Sequence, residues 1–176
     1  IPAKYDEALA FKNGRGFVGV GPEPKRRFFM IDASGNPRSK IEYDHVVCYW
    51  GHEDDDVTIA RVINCGEVGY AHLDQDGNPM YNSRFLGIRK FNEFGFAGAG
   101  IGSEENAKGG IINKQGDVVF QANCDGCDHL IDDLVCVQLD GLYGIMNFSG
   151  EWIVRPNYRK ILRLHDDNFI LQKGIG

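Results

Sequence analysis

The chain has no apolar run near the ~20 residues a membrane-spanning helix needs, so no membrane association is expected. It also lacks a basic excess: 19 Lys and Arg against 25 Asp and Glu leave a formal net charge of -6. A broad cationic face for nucleic acid is therefore not expected. Proline is scarce, six in all, and no linker, low-complexity tract or composition shift divides the sequence. That favours one domain spanning residues 1–176. The five cysteines are an odd number in a chain far larger than the small disulfide-stapled class, which argues for reduced thiols and a cytoplasmic setting. Because the first residue is Ile1 rather than Met, an N-terminus truncated upstream is expected.

Glycine is abundant: 23 of 176 residues is about 13%, near twice the usual ~7%. Many tight turns are implied, and they recur. Four segments share one frame: Phe28-Phe29-Met30-Ile31-Asp32-x-x-Gly35, Tyr70-Ala71-His72-Leu73-Asp74-x-x-Gly77, Gly109-Gly110-Ile111-Ile112-Asn113-x-x-Gly116 and Tyr143-Gly144-Ile145-Met146-Asn147-x-x-Gly150. Their glycines lie 42, 39 and 34 residues apart. Asp or Asn at the first turn position captures backbone amides, and Gly three residues later accepts the left-handed conformation that closes a hairpin. Eight residues past each glycine stand Tyr43, Phe85, Cys124 and Tyr158, and three further on Val46, Ile88, Cys127 and Ile161, all expected in the core with Ile31, Leu73, Ile112 and Met146.

A third apolar stretch precedes each frame: 57–62, 91–96, 134–139 and 169–171, with 11–17 in that place in the first unit. The expected fold is all-β, about four tandem repeats of three antiparallel strands each, set as an open arc, a solenoid or a small propeller. Tyr5-Asp6 matches Tyr43-Asp44 as the tail of a preceding unit, and Phe169 opens a fifth copy. A longer array, or a ring closed by the two partial ends, is expected.

The pattern aromatic-Gly-x-Ile-Asp/Asn-x-x-Gly followed by Tyr-Asp resembles the WG repeat family of bacterial proteins. The resemblance covers nearly the whole chain. No copy keeps the Trp, whose place is held by Phe28, Tyr70, Gly109 and Tyr143, and the second motif glycine survives only as Gly110 and Gly144. The resemblance implies a β-rich scaffold used mostly for binding, without a family-wide catalytic residue set.

Candidate chemistry is sparse. Gly14-x-Gly16-x-x-Gly19 matches a dinucleotide fingerprint, but Gly21, Pro22 and Pro24 forbid the helix it needs. Cys124-x-x-Cys127-x-His129 has a spacing that zinc could use, yet no second Cys or His pair accompanies it. A redox reading of the same cysteines wants a βα setting, so core packing is the preferred reading and no metal or cofactor is expected. His45, His52, His72, His129 and His165 fit no zincin or Ser/His/Asp signature. Pro24-Lys25-Arg26-Arg27 reads as a solvated hairpin tip, and the sequon at Asn147 is better explained by its turn.

Acidic residues precede the third strand of each unit: Asp55 and Asp56, Glu93, Asp132 and Asp133, Asp166 and Asp167. Stacked or radial repeats would set them along one rim, where carboxylates attract a basic protein surface. The expected function is a non-catalytic module binding another protein through this rim. The alternative is a carbohydrate-active hydrolase with paired carboxylates, or glycan binding through Tyr49, Trp50, Tyr81 and Trp152.

Overall fold

The computed structural model describes residues 4–9, 11–49, 58–64, 67–163 and 168–173. β1 (Glu7–Ala8), β2 (Arg15–Val20) and β3 (Arg27–Asp32) form one sheet, and β4 (His45–Tyr49), β5 (Thr58–Asn64) and β6 (Glu67–Leu73) a second. The third sheet contains β7 (Gly87–Ile88), β8 (Phe96–Ile101), β9 (Lys108–Asn113) and β10 (Val118–Ala122), each paired with its sequence neighbour. β11 (Gly126–Ile131), β12 (Leu134–Leu139), β13 (Leu142–Asn147) and β14 (Trp152–Tyr158) form the fourth in the same way, and β15 (Lys160–Arg163) pairs with β16 (Phe169–Gln172). Every pairing is antiparallel. Helix among the described residues is one 3-10 turn, Glu104–Asn106, and none is long and apolar enough to cross a membrane. The chain divides into two compact units, residues 1–84 and 85–176.

The recurring turn is one covalent pattern solved one way. In the first copy Gly35 N–H donates to the Asp32 carbonyl at 3.0 Å and Asp32 N–H to the Asn36 carbonyl at 2.9 Å, while Asp32 Oδ1 accepts from the Ser34 and Asn36 amides at 2.8 and 2.9 Å. The Asn36 amide, first among these donors, holds the Asp32 carboxyl below its usual range. That turn is therefore fully held above the ordinary carboxylate pKa and loosens as acid protonates the side chain. Asp74, Asn113 and Asn147 repeat the geometry, and Gly35, Gly77, Gly116 and Gly150 all have positive φ, between 79° and 87°. A fifth copy stands at Asn92–Gly95, with Asn92 Oδ1 accepting from the Phe94 and Phe96 amides. It closes a different hairpin, the one leading into β8. The third strand expected over 91–96 is accordingly a turn, and the strand starts at Phe96.

Registers superpose from copy to copy. The residue after each Tyr, Phe or Cys of the frame donates its amide to the third strand: Asp6 to Gly19, Asp44 to Ile63, Leu86 to Gly100, Asp125 to Gln138 and Arg159 to Gln172. In the first unit the tyrosines also tie one copy to the next turn. Tyr5 Oη donates to the Gly35 carbonyl at 2.9 Å, and Tyr43 Oη to the Gly77 carbonyl at 3.0 Å. Arg38 reaches Asp76 at 2.5 Å, and the Lys40 amide reaches Asn78 Oδ1 at 2.7 Å, along the same junction.

The second motif glycine governs the strand after the turn. A Cβ on Gly144 would meet the Val154 carbonyl oxygen at 2.6 Å and the Pro156 nitrogen at 2.8 Å, and one on Gly110 would meet Ile101 Cδ1 at 2.0 Å and the Phe120 carbonyl at 3.0 Å. The copies that keep this glycine build β10 and β14, each carrying bulges. Where Phe29 and Ala71 replace it, only isolated bridges remain, Ile31 to Pro37, Phe28 to Tyr43 and Leu73 to Pro79. A bulged strand can run that close only over a residue without a side chain.

Each unit has its own core. The first gathers Phe17, Phe28, Met30, Tyr43, Val46 and Leu73 over Ala60, Val62 and Ala71; the second gathers Ile111, Phe120, Cys127, Val135, Val137 and Met146. Burying one such large side chain stabilises the fold by roughly 1.5–3 kcal/mol relative to exposure. Ile31 and Ile112 are also fully buried, and Phe85 is buried, as expected. Four expectations need correction: Ile88, Cys124, Tyr158 and Ile161 are only half-buried. At Tyr158 the alternation of β14 leaves that face of the strand half open.

Two outcomes follow from these contacts. Tyr43→Phe leaves the Gly77 carbonyl without its buried donor and should cost about 1–2 kcal/mol, a fall in Tm of roughly 2–6 °C by calorimetry. Gly144→Ala should cost about 1–3 kcal/mol in urea unfolding because its Cβ meets backbone, whereas Gly87→Ala, with no atom within 4 Å of the added carbon, should be near neutral.

Candidate functional site

Of the seven acidic positions expected on the rim, Glu93, Asp132 and Asp133 can be placed; Asp55, Asp56, Asp166 and Asp167 lie outside the described residues. Glu93 sits in the Asn92–Gly95 turn before β8. Asp132 and Asp133 form the two-residue tip between β11 and β12, with Asp132 at φ 50°. All three are exposed.

His129 fastens these two tips together. The Asn92 side-chain amide donates to Nδ1 at 2.9 Å, so the proton of the neutral ring lies on Nε2, which donates to the Asp132 carbonyl at 2.8 Å. Phe96 stacks on the imidazole at 4.4 Å, and Phe94 and Phe148 stand against it at 5.6 and 5.8 Å. The ring is buried, so both hydrogen bonds work in a dry setting where losing a partner is costly. Sequence reasoning placed Glu93 on the rim but passed over His129 as the link. Its signal was an apolar surround of Phe94, Phe96 and Phe148, spread over three strands or turns and invisible to local spacing.

His129 therefore does not join the thiols in one ligand set, since both ring nitrogens are engaged elsewhere. Among the described residues no group of three or more His, Cys, Asp or Glu is placed to hold a metal ion. Cys127 is buried in the second core, as the packing reading expects. Cys124 departs from it by opening onto a cleft of about 330 Å³ floored by glycines of β8 and β9. Its thiol is lowered to about 7, chiefly by hydrogen bonding with the Cys127 thiol, with help from the Gly126 and Gly109 amides. Cys127 moves the opposite way, its proton retained toward Cys124 and its charge opposed by burial. Arg89 pairs with Asp128 at 3.2 Å on the same rim of the cleft, where burial raises the Asp128 carboxyl.

The remaining motifs have structural duties. In the dinucleotide-like run, a Cβ on Gly16 would strike the Phe11 ring at 2.5 Å, and one on Gly19 would strike Arg26 at 2.6 Å and Phe28 at 3.0 Å. Arg26 pairs with Glu7 and Glu23, and Arg27 with Asp44, so two cations of the basic run are neutralised within the first unit. His72 is fully buried with Nδ1 at 2.5 Å from Tyr81 Oη. Asn147 holds its turn through Glu151 and Ser149.

Residues 1–21 and 110–143 match the family model described as WG containing repeat. The second stretch runs from the motif glycine of one copy to the motif aromatic of the next. The resemblance read from the turns is thus borne out in those segments. No curated protein and no solved structure matches the chain.

Removing the imidazole tests the link between the tips. His129→Ala should lower stability by about 2–4 kcal/mol. Amide hydrogen exchange should quicken selectively in the 92–96 and 131–134 turns, and unchanged protection there would show that the tips are held by something else.

Proposed function

We propose that the chain is a non-catalytic binding module that engages another protein, one with a basic surface, through the face formed by its hairpin tips. The observation that carries this reading is the His129 link, which sets Glu93 of one repeat beside Asp132 and Asp133 of the next while all three carboxylates remain in water. A rim of like charges held on rigid turns costs little to preorganise, and it speeds encounter with a cationic partner. The two matched WG segments support the repeat-scaffold part of the reading.

The glycan alternative has less to draw on. Tyr81 is buried on His72, and Trp152 packs against the second core, so both aromatics serve the interior. Tyr49's side chain and Trp50 lie outside what is described.

The test compares the chain with a Glu93→Lys, Asp132→Lys, Asp133→Lys variant as bait in a host lysate, with quantitative mass spectrometry at low and moderate salt. A basic protein retained by the parent should fall by about tenfold or more with the variant, and its capture by the parent should weaken as salt rises. An identical captured set for both baits would discard the rim.

A further inference from the structure

We propose that Cys124 and Cys127 form a reversible dithiol–disulfide pair, oxidised within the cleft by a low-molecular-weight disulfide. The site is built by missing side chains. A Cβ on Gly109 would come within 2.5 Å of Cys124 Sγ and 3.4 Å of Cys127 Sγ, so both sulfurs converge over one bare Cα of β9. Gly98 does the same for the backbone, since a Cβ there would lie 2.5 Å from the Cys127 carbonyl oxygen. These two glycines let β11 settle on β8 and β9, and the Cys-Asp-Gly-Cys turn is thereby pressed against the sheet with its sulfurs together.

The two thiols differ in the way such a pair needs. Cys124 is half exposed and opens to the cleft, and its sulfur faces the Gly109 and Gly126 amides and the Cys127 S–H. It is the attacking sulfur. Cys127 is buried behind it and is the resolving one. Cys124 thiolate attacks one sulfur of the disulfide R–S–S–R, forming the mixed disulfide and releasing R–S⁻. Cys127 then loses its proton and attacks Cys124 Sγ, closing the Cys124–Cys127 bond and releasing the second R–S⁻. The pair gives up two electrons and two protons, and the disulfide leaves as two thiols. Excess small thiol runs the same steps backward. The fourteen-atom ring requires no third ligand and no metal, which fits the separation of His129 from the sulfurs.

Oxidised glutathione is the probe. The folded chain is incubated with it, quenched with iodoacetamide and digested with trypsin. Trypsin cuts after Lys114 and, since Arg155 is followed by Pro156, next after Arg159, so peptide 115–159 contains Cys124, Cys127 and Cys136 and fragmentation assigns the bond within one peptide. The expected product is two hydrogens lighter between Cys124 and Cys127, with the alkyl group on Cys136, and reduced glutathione restores the dithiol. Cys127→Ser should accumulate glutathione on Cys124, and Cys124→Ser should leave Cys127 unmodified. In the untreated protein, Cys124 alkylation should rise with pH to half its maximum near 7 and outpace that of Cys136 by at least about tenfold, because burial pushes the Cys136 thiol up to about 11. Failure of the wild-type chain to form the bond, or a Cys124 no faster than Cys136, overturns the proposal whether or not either variant folds.

Discussion

Everything regular in this molecule depends on one side-chain oxygen holding two backbone amides. At Asp32, Asp74, Asn92 and Asn113 that oxygen accepts from the second and fourth residues onward, and a glycine at positive φ turns the chain back. Asn147 differs only in taking the Ser149 hydroxyl for one donor. The turn is complete within five residues, needs no neighbour to be stable, and fixes which residues of the two strands face each other. Side-chain alternation then assigns the core without further instruction: Ile31, Leu73 and Ile112, one residue before the capping position, are each fully buried.

The same local origin explains how the frame survives without its tryptophan. An aromatic at the first motif position is one packing contact among several, and Phe28, Tyr70 and Tyr143 replace it at modest cost, as a well-packed core tolerates similar volumes. The glycine after it is different. Val154 and Pro156 backbone atoms sit where its Cβ would be, so a larger residue must be answered by moving the following strand. The first two copies did that, reducing the strand to bridges, and the first kept its junction to the next turn through the Tyr43 hydroxyl.

These facts divide what could be read from the residues alone from what could not. The turns, the strand order and most of the core were legible because Asp or Asn, Gly and the apolar alternation act within a few residues. The fifth turn at Asn92 was visible in its own Asn-x-x-Gly spacing, but it closes another hairpin and fell outside the frame. Cys124 was placed in the core because the frame equates it with Tyr43, whereas a thiol is too small to fill that position and stands at the edge of a cleft. His129 escaped for a different reason. Its partners Asn92 and Phe148 are 37 residues behind it and 19 ahead, and contacts at that distance follow only from the packing of two sheets.

The second unit shows how a repeat scaffold gains a distinctive site. Its sheets approach over Gly98 and Gly109, positions that in the second copy, by the frame, hold Ile59 and Tyr70. A side chain at either point would hold β11 off by the width of a methyl group or more, separating the sulfurs from the amides of β9. Loss of bulk on two neighbouring strands, rather than gain of a reactive residue, is what turns an ordinary hairpin entry into a cleft with two thiols at its wall. The turn geometry is indifferent to such exchanges, because its hydrogen bonds are made between residues the exchanges do not touch. A frame held by local capture of amides therefore leaves its strand faces open to substitution, and each copy can acquire chemistry without endangering the register of the next.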